Sequence, residues 1–228
     1  MPQIFPSRWM PSHPDRLQLY SLATPNGKKV GIALEELGLS YEAHKIRIGE
    51  GDQFDPEYVA LVNPNSKIPA IIDPDGPGGR PLALMESGAI LLYLAEKTGR
   101  LMPEDPRDRW DAMQWLFFQV ANIGPLFGQF GHFFKFAREK TQDSYGIERY
   151  TAETKRLLAV LERRLAERPF LVAGEYTIAD IATFPWVMGL EFYGGLEQVG
   201  YADYTNVQAW VERCMARPAT QRGALVCA

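Results

Sequence analysis

The chain has 228 residues, 46% of them hydrophobic and 23% charged, with a formal net charge of −4, enough for one large domain or two modest ones with proper cores. No basic run exists to displace counterions from phosphates, which argues against nucleic acid as a partner. No apolar stretch approaches the roughly 18 residues of a membrane span, so a cytoplasmic protein is expected.

The first sixteen residues hold Pro2, Pro6, Pro11 and Pro14 and no apolar core segment; they read as a flexible N-terminal arm rather than a secretory signal. Residues 17–22 alternate as a strand does, and Val30, Ile32, Ala33, Leu34 and Leu37 then give a helix with one buried face. Between them, Thr24-Pro25-Asn26-Gly27-Lys28-Lys29 directs backbone N–H groups, a hydroxyl and a carboxamide at one point. That is a place to hold an anion, and a thiolate is an anion. Residues 41–48 alternate as a second strand, followed by a glycine-rich loop at 49–54 and a short helix around 56–62. Ala70-Ile71-Ile72 and Leu82-Ala83-Leu84 are short strands, joined as a hairpin by the turn residues of 73–79. Ser87 opens a helix containing Ile90, Leu91, Tyr93 and Leu94. The order β-α-β-α-β-β-α over 17–98 is that of an α/β thioredoxin-like domain.

Residues 99–106 have the composition of a linker, and everything from 107 to 228 reads as an all-α, C-terminal helical domain. Trp110, Met113, Leu116, Phe117 and Val120 recur at helical steps, as do Ile147, Tyr150, Thr154, Leu157, Leu158, Leu161 and Leu165. Thr177-Ile178-Ala179-Asp180 is a capping box opening a helix over 178–191, and a last helix spans 207–217. In the phenylalanine-rich run of 117–136, Gly124-Pro125 is expected to break or kink the helix. About half of those rings are expected in the core and the rest in an apolar acceptor site, with His132 at the surface. Cys214 and Cys227 form neither a C-x-x-C pair nor a zinc spacing. His13, His44 and His132 are far apart in sequence. No metal is expected, and any thiol chemistry must use a thiol brought in from outside.

Three motifs in this order resemble the cytosolic glutathione transferases: Asn65-Ser66-Lys67-Ile68-Pro69-Ala70 before the third strand, Glu86-Ser87 at a helix start, and Thr177–Asp180. The likeness runs from about Leu17 to Ala224. Thr24-Pro25-Asn26-Gly27, Gly51-Asp52-Gln53-Phe54 and Gln114-Trp115-Leu116 most resemble the bacterial Nu class, described as glutathione-dependent disulfide-bond reductases with modest conjugating activity. The resemblance implies a cis Pro69, glutathione as co-substrate, and a homodimer with helices near 107–136 at its interface.

Glutathione carries two carboxylates, an ammonium and a thiol, and the resemblance assigns each a partner. Ser87 would offer hydroxyl and N–H to the γ-glutamyl carboxylate, and Glu86 would pair the ammonium. Ile68, held extended by the following proline, would meet the cysteinyl backbone, with Lys67 and Gln53 toward the glycyl carboxylate. Lowering a thiol pKa of about 8.5 by two units takes about 2.7 kcal/mol, more than a helix terminus supplies, at most about 2 kcal/mol. A hydrogen bond from Thr24, seconded by Asn26, closes the gap. Tyr20 and Ser21 are the rivals for that role. The resulting thiolate would serve disulfide reduction, with conjugation to apolar electrophiles or non-catalytic glutathione binding as the alternatives.

Overall fold

In the computed structural model, which describes residues 3–141 and 144–228, the chain divides into two units. One ends at Arg100 and takes up the chain again over Pro218–Ala228; the other is Leu101–Arg217.

The first unit is built on a four-stranded sheet in the order β2-β1-β3-β4. Its strands are β1 (Leu17–Ser21), β2 (Tyr41–Lys45), β3 (Ala70–Gly76) and β4 (Arg80–Met85). β2 runs parallel to β1 across the helix α1 (Pro25–Leu37), while β3 and β4 are antiparallel to their neighbours. This is the thioredoxin-like order expected. Tyr20 pairs with Ala70 and Gln18 with Ile72, so alternation puts Tyr20, Ala70 and Ile72 on one face. There they cluster with Ile46, Val62, Phe5 and Tyr58 of α2 (Pro56–Leu61), and Ile4 and Trp9 pack against them. The N-terminal segment, expected as a flexible arm, is therefore seated on the sheet by its own apolar side chains.

The return of Pro218–Ala228 differs from the expected all-helical span of 107–228, and small residues explain it. α9 (Pro218–Gly223) lies so close to α1 that a Cβ on Gly31 would come within 2.5 Å of the Gly223 carbonyl oxygen. Thr220 donates to Glu36 at 2.9 Å and Arg222 to Glu35 at 2.7 Å, and the N–H of Ala23 reaches the Cys227 carbonyl at 3.3 Å.

The second unit holds α4 (Pro106–Phe118), α5 (Gly124–Gly131), α6 (Tyr145–Leu165), α7 (Ile178–Tyr193) and α8 (Thr205–Met215). α7 supplies its centre through the buried Ile178, Ile181, Phe184, Val187 and Leu190. The capping box forms: Thr177 accepts from the Ala179 N–H at 3.2 Å, and Asp180 accepts from the Thr177 N–H at 3.0 Å. The Asp180 carboxylate also accepts from the Leu171 N–H and from Trp210 Nε1, each at 2.9 Å. Pro125 does not break its helix. A π turn over Gln119–Ile123 precedes it, with the Gly124 N–H bonded to the Gln119 carbonyl, and this wider turn accommodates a residue that has no N–H to give. Of the phenylalanines, Phe127 and Phe130 are fully buried, while Phe117 and Phe136 are 63% and 53% exposed.

Candidate functional site

Thr24 ends the first strand–helix turn in extended geometry and caps α1, its Oγ1 accepting from the Gly27 N–H at 3.2 Å. Pro25 follows at the first helical position, where a missing N–H costs nothing. Gly27 is required: any Cβ there would collide with the carbonyl of Leu22 and the hydroxyl of Ser21. With its oxygen engaged as an acceptor, the Thr24 hydroxyl keeps its proton to donate.

The loop before β3 is pinned through one carbonyl. That of Lys67 accepts from Tyr58 Oη at 2.6 Å and from Asn63 Nδ2 at 2.9 Å, and Ser66 turns the chain at φ 54°. The Ile68–Pro69 bond is cis, as the resemblance implies. Among the described residues neither the N–H nor the C=O of Ile68 has a backbone partner, so both remain for an extended ligand.

Glu86 stands before α3 (Ser87–Thr98) at φ 68° and ψ 112°. A non-glycine residue in this region costs on the order of 1–3 kcal/mol and persists only where its surroundings impose it. Beneath the α3 terminus lies Lys29 of α1, 1% exposed, with Nζ 3.3 Å from Ser87 Oγ. Burial pushes its pKa down to about 7, opposed by the nearby Glu86 carboxylate. Lys29 escaped the sequence reading. The available signal was a charge at the i, i+3, i+4 positions of Ile32 and Ala33, on an otherwise apolar stripe.

These elements enclose two cavities within the first unit. Thr24, Ile48, Gly49, Gln53, Ser66, Lys67 and Ile68 line one of about 470 Å³. Asn26, Asn63, Lys67, Ile68, Pro69, Glu86 and Ser87 line another of about 140 Å³. Thr24, Asn26, Gln53, Glu86 and Ser87 thus each border one of them, and Lys67 and Ile68 border both and join them. Gln53 donates to the Ile48 carbonyl at 3.2 Å, while its Oε1 is buried with no hydrogen-bond partner among the described residues. Tyr20 and Ser21 line neither cavity. Tyr20 is fully buried, stacked on His44 at 4.7 Å and edge-on to Tyr58 at 6.1 Å, and burial drives its pKa well above the usual phenol value. Ser21 is 1% exposed beside Gly27.

Neither cysteine borders the cavities. Cys214 is buried in α8, and burial raises the thiol of Cys227 to about 11, against the opposing influence of Lys45. Among the described residues no group of three or more His, Cys, Asp or Glu side chains is arranged to hold a metal.

A thioredoxin-like sheet with a polar site between the α1 and α3 termini, followed in sequence by an all-helical unit, defines the architecture of a glutathione transferase. Residues 23–97 match the family model of the glutathione S-transferase N-terminal domain, and residues 144–213 that of its C-terminal domain. The chain is 47% identical over 223 residues to the disulfide-bond oxidoreductase YghU of Escherichia coli, covering 94% of this chain and 75% of that protein. It is 46% identical over 210 residues to the disulfide-bond oxidoreductase YfcG of the same organism, covering 92% and 94%. A crystal structure of a glutathione transferase from Pseudomonas putida, with one glutathione disulfide bound per subunit, matches with a TM-score of 0.94 and 50% identity. The match covers 97% of this chain and 96% of that one. The chain belongs to the glutathione transferase family.

Proposed function

We propose that this enzyme reduces disulfides with glutathione, using the bound tripeptide's own sulfur as the nucleophile. The observation that carries the reading is the placement of the Thr24 hydroxyl and the α1 terminus at cavities that Glu86, Ser87 and Ile68 also border. Ser87, at the head of α3, takes the γ-glutamyl carboxylate, and Glu86 pairs with the ammonium. Ile68 meets the cysteinyl backbone through its N–H and C=O, and Lys67 and Gln53 face the glycyl end. Thr24 donates to the sulfur, and Asn26 assists.

The thiolate attacks one sulfur of the acceptor disulfide, forming a mixed disulfide and releasing the other sulfur as a thiolate. A second glutathione thiolate then attacks the glutathionyl sulfur. Glutathione disulfide forms, the remaining acceptor thiolate leaves, and each released thiolate takes up a proton from water. Two glutathiones lose one electron each and the acceptor gains two. The names of YghU and YfcG and the glutathione disulfide in the Pseudomonas putida structure support this reaction over conjugation. A protein thiol is disfavoured as the nucleophile, because a pKa of about 11 leaves Cys227 ionised in only about one molecule in ten thousand at neutral pH.

The assay compares reduction of 2-hydroxyethyl disulfide with conjugation of chlorodinitrobenzene, for the parent and for a Cys214→Ser/Cys227→Ser variant. Fast reduction that survives the double substitution is expected. Fast conjugation with slow reduction would make the enzyme a conjugating transferase. Glutathione binding without turnover of either compound would make it a binding module. Loss of reduction in the double variant would give the nucleophile's role to a protein cysteine.

The reading extends to a cytoplasmic, Nu-class homodimer that works without a metal. The 74% exposed Trp110 and 63% exposed Phe117 of α4 support self-association, and a monomer in sedimentation would count against it. No helix among the described residues is long and apolar enough to cross a membrane.

A further inference from the structure

Besides its apolar seating, the N-terminal segment makes a charged contact that reaches the loop at the edge of the larger cavity. That loop consists of two short 3₁₀ turns, Ile48–Glu50 and Asp52–Phe54, and brings Ile48, Gly49 and Gln53 to the cavity wall. It is anchored by the Asp52 carboxylate, which is only 2% exposed. Asp52 Oδ2 accepts from the Arg47 backbone N–H at 2.9 Å and from Arg47 Nε at 3.1 Å. Oδ1 is bonded by Arg8 Nη2 at 2.6 Å.

Arg8 is in turn well placed. It sits in the turn Ser7–Trp9, where Glu57 accepts from the Ser7 N–H at 2.5 Å and the Trp9 ring meets Tyr58 edge-on at 6.0 Å. Without Arg8, the carboxylate that anchors the loop would lose its charged partner at Oδ1.

We infer that Arg8 is a positioning residue for glutathione, holding Gln53 through Asp52 so that the glycyl end of the tripeptide is gripped. The inference rests on the proposal that Gln53 contacts that end. Arg8 borders neither cavity, and Thr24 and Asn26 stand at the α1 terminus, outside this contact, so the effect falls on binding and leaves the sulfur chemistry alone.

The test uses the full chain and two thiol donors, glutathione and γ-glutamylcysteine, which lacks the glycyl residue. Arg8→Ala should raise KM for glutathione about three- to tenfold, leave kcat near the parent value, and leave KM for γ-glutamylcysteine unchanged. Arg8→Lys should restore most of the loss, and Asp52→Asn should reproduce the split between donors. Equal rises for both donors, or a fall in kcat with a lowered melting midpoint, would make Arg8 merely structural and overturn the inference. Gln53→Ala is the separate control. If it shows the donor split and Arg8→Ala and Asp52→Asn do not, the inference alone fails; if Gln53→Ala shows no split, the assignment of the glycyl end fails and takes the inference with it.

Discussion

The Thr24 hydroxyl is assigned two tasks, and Thr24→Ala separates their costs. As an acceptor it caps α1 through the Gly27 N–H at 3.2 Å, a contact worth about 1 kcal/mol of folding stability. As a donor it is proposed to face the bound sulfur, and a hydrogen bond to a charged group is worth about 1.5–3 kcal/mol. At about 1.36 kcal/mol per pKa unit, losing the donor raises the bound thiol's pKa by about one to two units. A thiol held near 6.5 in the parent would then titrate between about 7.5 and 8.5, close to free cysteine. The thiolate absorbs in the ultraviolet, so a pH titration of the glutathione complex reads the midpoint directly. Thr24→Ser should preserve both tasks, and Thr24→Ala should slow turnover near neutral pH and regain part of it as the pH rises. An alanine variant whose thiol titrates as in the parent would refute the assignment. The same holds if the parent's midpoint is no lower than that of free glutathione.

Two further predictions concern stability. Lys29 has a folded-state pKa of about 7 against 10.5 for an ordinary lysine. Between those values the unfolded chain binds a proton that the folded chain does not. Unfolding free energy should therefore rise with pH across that window, by up to about 1.4 kcal/mol per unit, and level off below it. Urea unfolding at unit pH intervals should show the rise in the parent and not in Lys29→Met; identical profiles would mean the amine stays charged in the fold. Asp180 accepts from the N–H groups of Leu171 and Thr177 and from the indole of Trp210, all within 3.0 Å and buried. Asp180→Ala leaves all three donors unsatisfied and should cost about 3 kcal/mol or more in chemical denaturation. A loss below about 1 kcal/mol would show that water replaces the carboxylate.

The parts of the site legible in the sequence are those whose residue types are dictated locally. Thr24, Pro25 and Gly27 announce a capped helix with a close backbone approach, because a cap, a first-turn proline and a glycine each answer a neighbour within a few residues. The capping box of Thr177 and Asp180 is of the same kind, although its local pattern does not reveal that Trp210 and Leu171 also depend on Asp180. What stayed hidden depends on contacts distant in sequence. Lys29 meets Ser87, 58 residues away. The arm's prolines suggest flexibility, but a proline-rich segment can still pack when it carries Phe5 and Trp9 to an open sheet face. Likewise, the closeness of Gly31 to Gly223 that brings the C-terminal end back to α1 leaves no pattern in either segment alone.

Folding and the proposed chemistry draw on the same groups here. The α1 terminus must leave N–H groups unpaired within the helix, and Thr24 satisfies one of them while facing the cavity. The α3 terminus has no side-chain cap and presents Ser87 at its head, and the turn that delivers it holds Glu86 at φ 68°, a strain the surrounding packing sustains. Lys29 adds a basic group from below, a few ångströms from where the γ-glutamyl carboxylate is proposed to lie. An anion on Ser87 favours the protonated amine, so ligand binding and the charge of Lys29 are linked in sign: the carboxylate draws a proton onto the lysine, and the charged lysine tightens the carboxylate. A site assembled from two helix termini and one buried amine is therefore suited to a ligand with a negative charge at one end and an ionisable sulfur in its middle. Glutathione has both.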